Sequence, residues 1–130
     1  MEFPSNLRYT SEHEWVRVED NIVFVGITDF AQSELGELVY VEVETVDETL
    51  AKDEIFGTVE AVKTTSDLYM PVSGKIIAFN PKLNEDDGDE PTLINESPYE
   101  EGWIIQIELS DPTELEGLMD AAAYQEEIKN

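Results

Sequence analysis

The chain has 130 residues, with 31 Asp and Glu against 7 Lys and Arg, a formal net charge of −24 and no cysteine. That balance argues against nucleic acid and anionic membrane as partners, since both demand cations to displace counterions. The missing thiols remove disulfides, thiolate metal sites and cysteine nucleophiles. Hydrophobic residues make up 41% of the chain and no apolar run approaches bilayer length, so residues 1–130 are expected to form one folded domain with an acidic field that favours basic surfaces on other proteins.

The opening "MEFPSNLRYTSEHEW" lacks the basic and apolar regions of a signal peptide and the Arg-rich pattern of a transit peptide. A cytoplasmic location is expected, and a processed mitochondrial chain reads identically. Next, "WVRVEDNIVFVGIT" reads as two strands joined by Glu19, Asp20 and Asn21, a hairpin. In "DFAQSELGE" the period changes: Asp29 suits a helix cap, Gln32 the reciprocal capping-box position and Gly36 a left-handed stop. "ELVYVEVE" alternates Leu38, Tyr40 and Glu42 against Val39, Val41 and Val43, which predicts a strand with one apolar valine face. "TVDETLAKDE" reads as charged turn material around Leu50.

"IFGTVEAV" and "DLYMPVSGKIIAF" are strand candidates on either side of Lys63, with the polar "KTTS" between them, and Pro71 marks an edge or bulge in the second. The breaker-rich "NPKLNEDDGDEPTLINESPYEEG" is a long loop, and Leu93, Ile94 and Tyr99 are its candidate packing residues. "WIIQIEL" returns to strand. In "SDPTELEGLMDAAAYQEEIKN", Asp111 caps, Pro112 starts and Glu114 follows at capping-box spacing, while Gly117 and Asp120 divide the segment into two short helices. The expected architecture is mainly β, six or more short strands, with small helices in one connection and at the C-terminus.

Few side chains point to chemistry. "NEDDGDE" clusters carboxylates without the ligand order of an EF-hand, and it reads as a solvated acidic turn. His13 is the only histidine, so multi-histidine metal sites are absent and a strand-edge histidine is the simplest account. No glycine-rich phosphate loop occurs. The aromatics Trp15, Phe24, Tyr40 and Trp103 fall in strand patterns and read as core, and carboxylate pairs are too abundant here to single one out as glycosidase machinery. Lys63 remains. It is either an ordinary surface lysine or an accessible amine that a modifying enzyme reads by the shape of a rigid turn. Acylation there would remove its charge and create a long arm.

"EAVK" followed by "SDLYMPVSG", with "YTSEHEWV" and "VGITDFAQSELG" upstream and "PYEEGW" and "LSDP" downstream, resembles the H protein family of the glycine cleavage system, in that family's order and from about Leu7 to the C-terminus. The resemblance implies a barrel-sandwich hybrid of the lipoyl/biotinyl-carrier type. It implies lipoate in amide linkage to Lys63, with Glu60 and Gly74 serving recognition by the lipoylating enzyme and Glu14 and Asp67 lining a cleft where the arm docks. It further implies a carrier rather than an enzyme. The lipoyl arm takes the aminomethyl group of glycine from the pyridoxal-phosphate glycine decarboxylase, passes it to the folate-dependent aminomethyltransferase, and is reoxidised by dihydrolipoamide dehydrogenase. A monomer is expected.

The chain departs from the family in carrying Glu44 and Asp47 where a Pro and a Gly are usual, Glu100 where Gly is common, and an acidic loop around Gly88 that is slightly long. A biotin carrier typically places Met on both sides of the lysine, where this chain has Val62 and Thr64, and lipoyl domains of 2-oxoacid dehydrogenases commonly place an Asp before it. An H-like protein that relays lipoyl groups to other lipoate-dependent enzymes shares the same lysine motif. A non-lipoylated acidic interaction module is the reading from a different class.

Overall fold

The computed structural model describes residues 1–129. Nine strands form two antiparallel sheets. β1 (Arg8–Tyr9), β2 (Glu14–Glu19) and β3 (Ile22–Ile27) precede helix α1 (Asp29–Leu35), and β4 (Leu38–Glu42), β5 (Thr49–Leu50), β6 (Ile55–Ala61), β7 (Thr65–Tyr69) and β8 (Gly74–Phe79) follow. The one-turn helix α2 (Leu93–Glu96), β9 (Ile105–Leu109), a 3-10 segment (Pro112–Gly117) and α3 (Ala121–Lys129) complete the chain. The six-stranded sheet runs β1-β2-β3-β9-β8-β5 and the three-stranded one β4-β6-β7. The architecture is mainly β, two antiparallel sheets with short helices in the connections and at the C-terminal end.

The core between the sheets comes from the inward period-2 positions of both, among them Val23, Val25, Leu38, Val41, Phe56, Val59, Leu68, Ile76 and Ile107, all 3% exposed or less. A second, aromatic cluster of Leu7, Tyr9, Trp15, Tyr99 and Tyr124 joins the N-terminal segment to α3. Tyr9 and Tyr124 stack there at 4.8 Å and 8°. Apart from Glu14, the acidic side chains lie outside these two apolar centres.

Five details differ from what the sequence pattern predicts. The cap of α1 is Thr28, whose side chain accepts from the Ala31 N–H, and Asp29 is the first helical residue, where its carboxylate holds the Gln32 side chain instead. The valine face of β4 is broken by a bulge between Leu38 and Tyr40, so Leu38 and Val41 point inward while Val39 is 45% exposed. Tyr40, next to that bulge, lies on the outer side with its hydroxyl near Glu42 and is not part of either core cluster. "DLYMPVSGKIIAF" is two strands in two sheets, because Met70 to Ser73 carry the chain across. Glu114 is not a capping-box partner either: its carboxylate accepts from the Ser73 N–H at 2.6 Å and the Ser73 hydroxyl at 2.9 Å, which clamps that crossing to the 3-10 segment.

The long loop packs as its apolar residues predict, with Ile94 and Tyr99 buried and Leu83 added to them. Asn80, 2% exposed, closes its base by donating to the carbonyls of Glu101 and Trp103. Asp47 sits at φ 77°, the left-handed region that glycine favours and that Asp tolerates through its short polar side chain. Glu100 needs no such conformation and is absent from the positive-φ positions.

Candidate functional site

β6 and β7 pair from Ile55↔Tyr69 up to Glu60↔Thr65, which leaves Val62, Lys63 and Thr64 as the tip. The tip is closed by the Ala61 N–H donating to the Thr64 carbonyl at 2.7 Å. It is braced from the side by the Val62 N–H donating to Glu37 O at 3.1 Å. None of its residues has positive φ, so a turn without glycine is fixed by ordinary L-residue geometry. Lys63 is exposed and makes no ion pair among the described residues.

The brace has its own support. Gly36 ends α1 at φ 84°, and a Cβ there would stand 3.7 Å from Lys63 Cε, so the lysine stem lies against that glycine. Asn95 of α2 accepts from the Leu38 N–H at 3.0 Å and donates to Gly36 O at 2.8 Å and Gln32 Oε1 at 2.9 Å. The end of α1 and the start of β4 are thus held from the long loop. The sequence gives no sign of this role for Asn95, because a polar residue in a breaker-rich loop looks solvated until its partners are known.

Beside the turn, a cleft of about 370 Å³ runs between α1 and the β6–β7 hairpin, walled by Phe30, Leu35, Val59, Asp67, Leu68 and His13. Its mixture of apolar floor and polar edge suits a flexible aliphatic guest with a polar end. Asp67 stands on its hairpin side and is exposed.

Glu14 does not line this cleft. It opens on a neighbouring cavity of about 180 Å³ with Thr10, Ser11, Lys52, Asp53 and Tyr69, and Glu12 is common to the two. Only 2% of Glu14 is exposed. One carboxyl oxygen, Oε2, accepts from the Tyr69 N–H at 2.8 Å, and the other, Oε1, is buried without a hydrogen-bond partner. Burial is the largest influence on this carboxyl and, against the Tyr69 bond, pushes it up to about 8, so the group is mostly neutral at pH 7. An unpaired polar atom in this setting is costly and marks a place where a ligand group can bond.

The two residues expected to serve recognition, Glu60 and Gly74, are separated. Glu60 is half-buried on β6 opposite Tyr40 and Thr65, next to the tip. Gly74 is buried in the other sheet between β5 and β9, where a Cβ would come within 2.4 Å of Glu108 O and Ile107 Cγ2. It is a buried close-approach glycine.

A family model described as "Glycine cleavage H-protein" matches residues 7–130. A glycine cleavage system H protein of Brevibacillus brevis is 55% identical over 129 residues, 99% of either chain. One from Bacillus cereus is 54% identical over 126 residues, 97% of this chain and 96% of that protein. The crystal structure of a glycine cleavage system H protein from Mycobacterium marinum superposes with a TM-score of 0.84 at 33% identity, covering 98% of this chain and all of that one.

Proposed function

The chain belongs to the glycine cleavage H-protein family and is a lipoyl carrier of the glycine cleavage system, and we propose that it carries lipoate on Lys63 and docks the loaded arm between α1 and the β6–β7 hairpin. The observation that carries this reading is the geometry at Lys63: an exposed, unpaired amine on a braced turn, its stem against Gly36, with an apolar-floored cleft at its side. When bound, the lipoyl group supplies the disulfide that takes up the aminomethyl group of glycine.

The chain's own residues have three tasks in this reading. The turn holds the attachment point away from the body, so that the active sites of the glycine decarboxylase, the aminomethyltransferase and dihydrolipoamide dehydrogenase can each be reached. The apolar walls, Phe30, Leu35 and Leu68, exclude water from an arm at rest. Carboxylates receive its polar end: Asp67 within the cleft and Glu14 in the adjoining cavity, whose free oxygen bonds a protonated amine. A cation arriving there favours the charged carboxylate, so Glu14 releases its proton as the amine seats. Glu60 is the contact that the lipoylating enzyme reads beside the turn. Gly74 serves recognition only by keeping β8 close to β9 and so holding the frame on which the hairpin stands.

The test is glycine–bicarbonate exchange with the decarboxylase, using protein made in a lipoylating host. Exchange that depends on this protein and vanishes in Lys63→Arg is expected. A lipoylated protein that supports no exchange but donates its lipoyl group to other lipoate-dependent enzymes would replace the aminomethyl carrier by a lipoyl relay.

A further inference from the structure

Three residues from distant parts of the chain, His13, Thr28 and Tyr124, meet behind the cleft, His13 alone of them lining it, and none belongs to the lysine turn. His13 has φ 67°, a left-handed conformation uncommon outside glycine although histidine is enriched there. Its N–H donates to Thr10 O at 3.1 Å and its carbonyl accepts from the Thr28 N–H at 3.0 Å. The ring lines the cleft, 5.1 Å from that of Phe30. The hydroxyl of Tyr124, a fully buried side chain of α3, lies 2.9 Å from His13 Nδ1 and 2.8 Å from Thr28 Oγ1.

The direction of these bonds follows from the protons available. Thr28 Oγ1 already accepts the Ala31 N–H at 3.1 Å as the cap of α1. Thr28 is fully buried, and the Tyr124 hydroxyl is the other group in reach of its oxygen. Thr28 therefore donates to Tyr124, and Tyr124 gives its own proton to His13 Nδ1. The opposite direction leaves a buried Thr28 O–H with no acceptor, which is the costly arrangement. With Nδ1 as acceptor, the ring proton sits on Nε2, which has no protein partner among the described residues.

We propose that Tyr124 is a positioning residue for the docked arm: through its hydroxyl, the C-terminal helix fixes His13 as the Nε2–H tautomer and so presents one N–H donor at the cleft. The acceptor is a sulfur of the lipoyl arm, weak when neutral and strong as thiolate. This rests on the reading of the cleft as the dock. It gives α3, which contributes nothing to the turn, a part in holding the arm.

Because His13 is the only histidine, nitrogen-15 correlation spectra of untagged, unlipoylated protein read its two ring nitrogens without ambiguity. The wild-type protein is expected to show the Nε2–H tautomer alone, Tyr124→Phe a mixture, and Thr28→Ser, which keeps the hydroxyl, the wild-type pattern. An Nδ1–H tautomer in the wild type overturns the proposal whether or not any variant folds, and so does a Tyr124→Phe ring unchanged from wild type.

The second readout is the lipoylated protein loaded from glycine, where water releases the aminomethyl group as formaldehyde and ammonium. Release is expected to be faster in Tyr124→Phe by at most about fivefold, the factor for complete loss of one ordinary hydrogen bond, and unchanged in Thr28→Ser. Leu35→Asp, in the cleft wall, separates the two ideas. Faster release in Leu35→Asp with wild-type release in Tyr124→Phe overturns the positioning role alone, and wild-type release in both overturns the dock on which it rests.

Discussion

Lys63 stands at the tip of a hairpin, exposed and without an ion pair, while Glu14, on a strand of the opposite sheet, is 2% exposed with one oxygen bonded to the Tyr69 N–H and the other to nothing. The backbone under Lys63 is tightly braced and its side chain left free. At Glu14 the side chain itself is confined. In the function proposed above, the contrast matches what each end of a swinging arm would require. An anchor needs reach, so its rigidity is placed in the turn and in Gly36 and Asn95 behind it. In the same reading a dock needs selectivity, which a desolvated carboxyl would supply, at a cost that a bound amine would relieve.

The largest effect that breaks this contrast is on Glu14 itself. A carboxyl whose folded-state value is raised from 4.5 to about 8 binds its proton more tightly in the folded chain. Its contribution to stability is therefore complete below about pH 4.5 and is lost as pH rises toward 8. Glu14→Gln removes that liability. It is expected to match the wild type near pH 4.5 and to exceed it by about 4 kcal/mol at pH 8, in denaturant titrations of unlipoylated protein across that window. A constant difference over the window would show that the carboxyl does not titrate there.

The same side chain is expected to matter in the opposite sense once the arm is loaded. Glu14→Ala deletes the acceptor for the amine, and release of the aminomethyl group, followed as formaldehyde or ammonium, should rise about tenfold, the loss of one hydrogen bond to a charged group. Wild-type release would remove Glu14 from the dock. Glu60→Gln tests the anchor end and is the mildest change: the rate of lipoylation is expected to fall about threefold, while stability stays within about 0.5 kcal/mol because Glu60 has no buried partner. An equal loss of stability and lipoylation would mean that Glu60 acts on the fold rather than on recognition.

The two ends also differ in how far the sequence reveals them. Lys63 is legible because hairpin patterning is local: alternating residues on each side and a short polar insert define the tip before any tertiary contact is known. The β2–β3 hairpin and the division of the C-terminal helices are legible for the same reason. The bulge at Leu38 and Tyr40 and the crossing at Met70 to Ser73 are not, because sheet membership and register depend on partners far along the chain. The separation of Glu14 from Asp67 into adjoining cavities belongs to this class too, since it depends on how β2 faces β7 across the sandwich. The links from Asn95 to Gly36 and from Tyr124 to His13 span 59 and 111 residues, and no local pattern records them.

Attachment at Lys63 is tested most directly by intact-mass and peptide-mapping spectrometry of the protein made in a lipoylating host, with Lys63→Arg beside it. One lipoyl increment, confined to the peptide containing Lys63 and absent from the Arg variant, is the predicted result. An unmodified chain, or an increment on any of the other lysines, would contradict it.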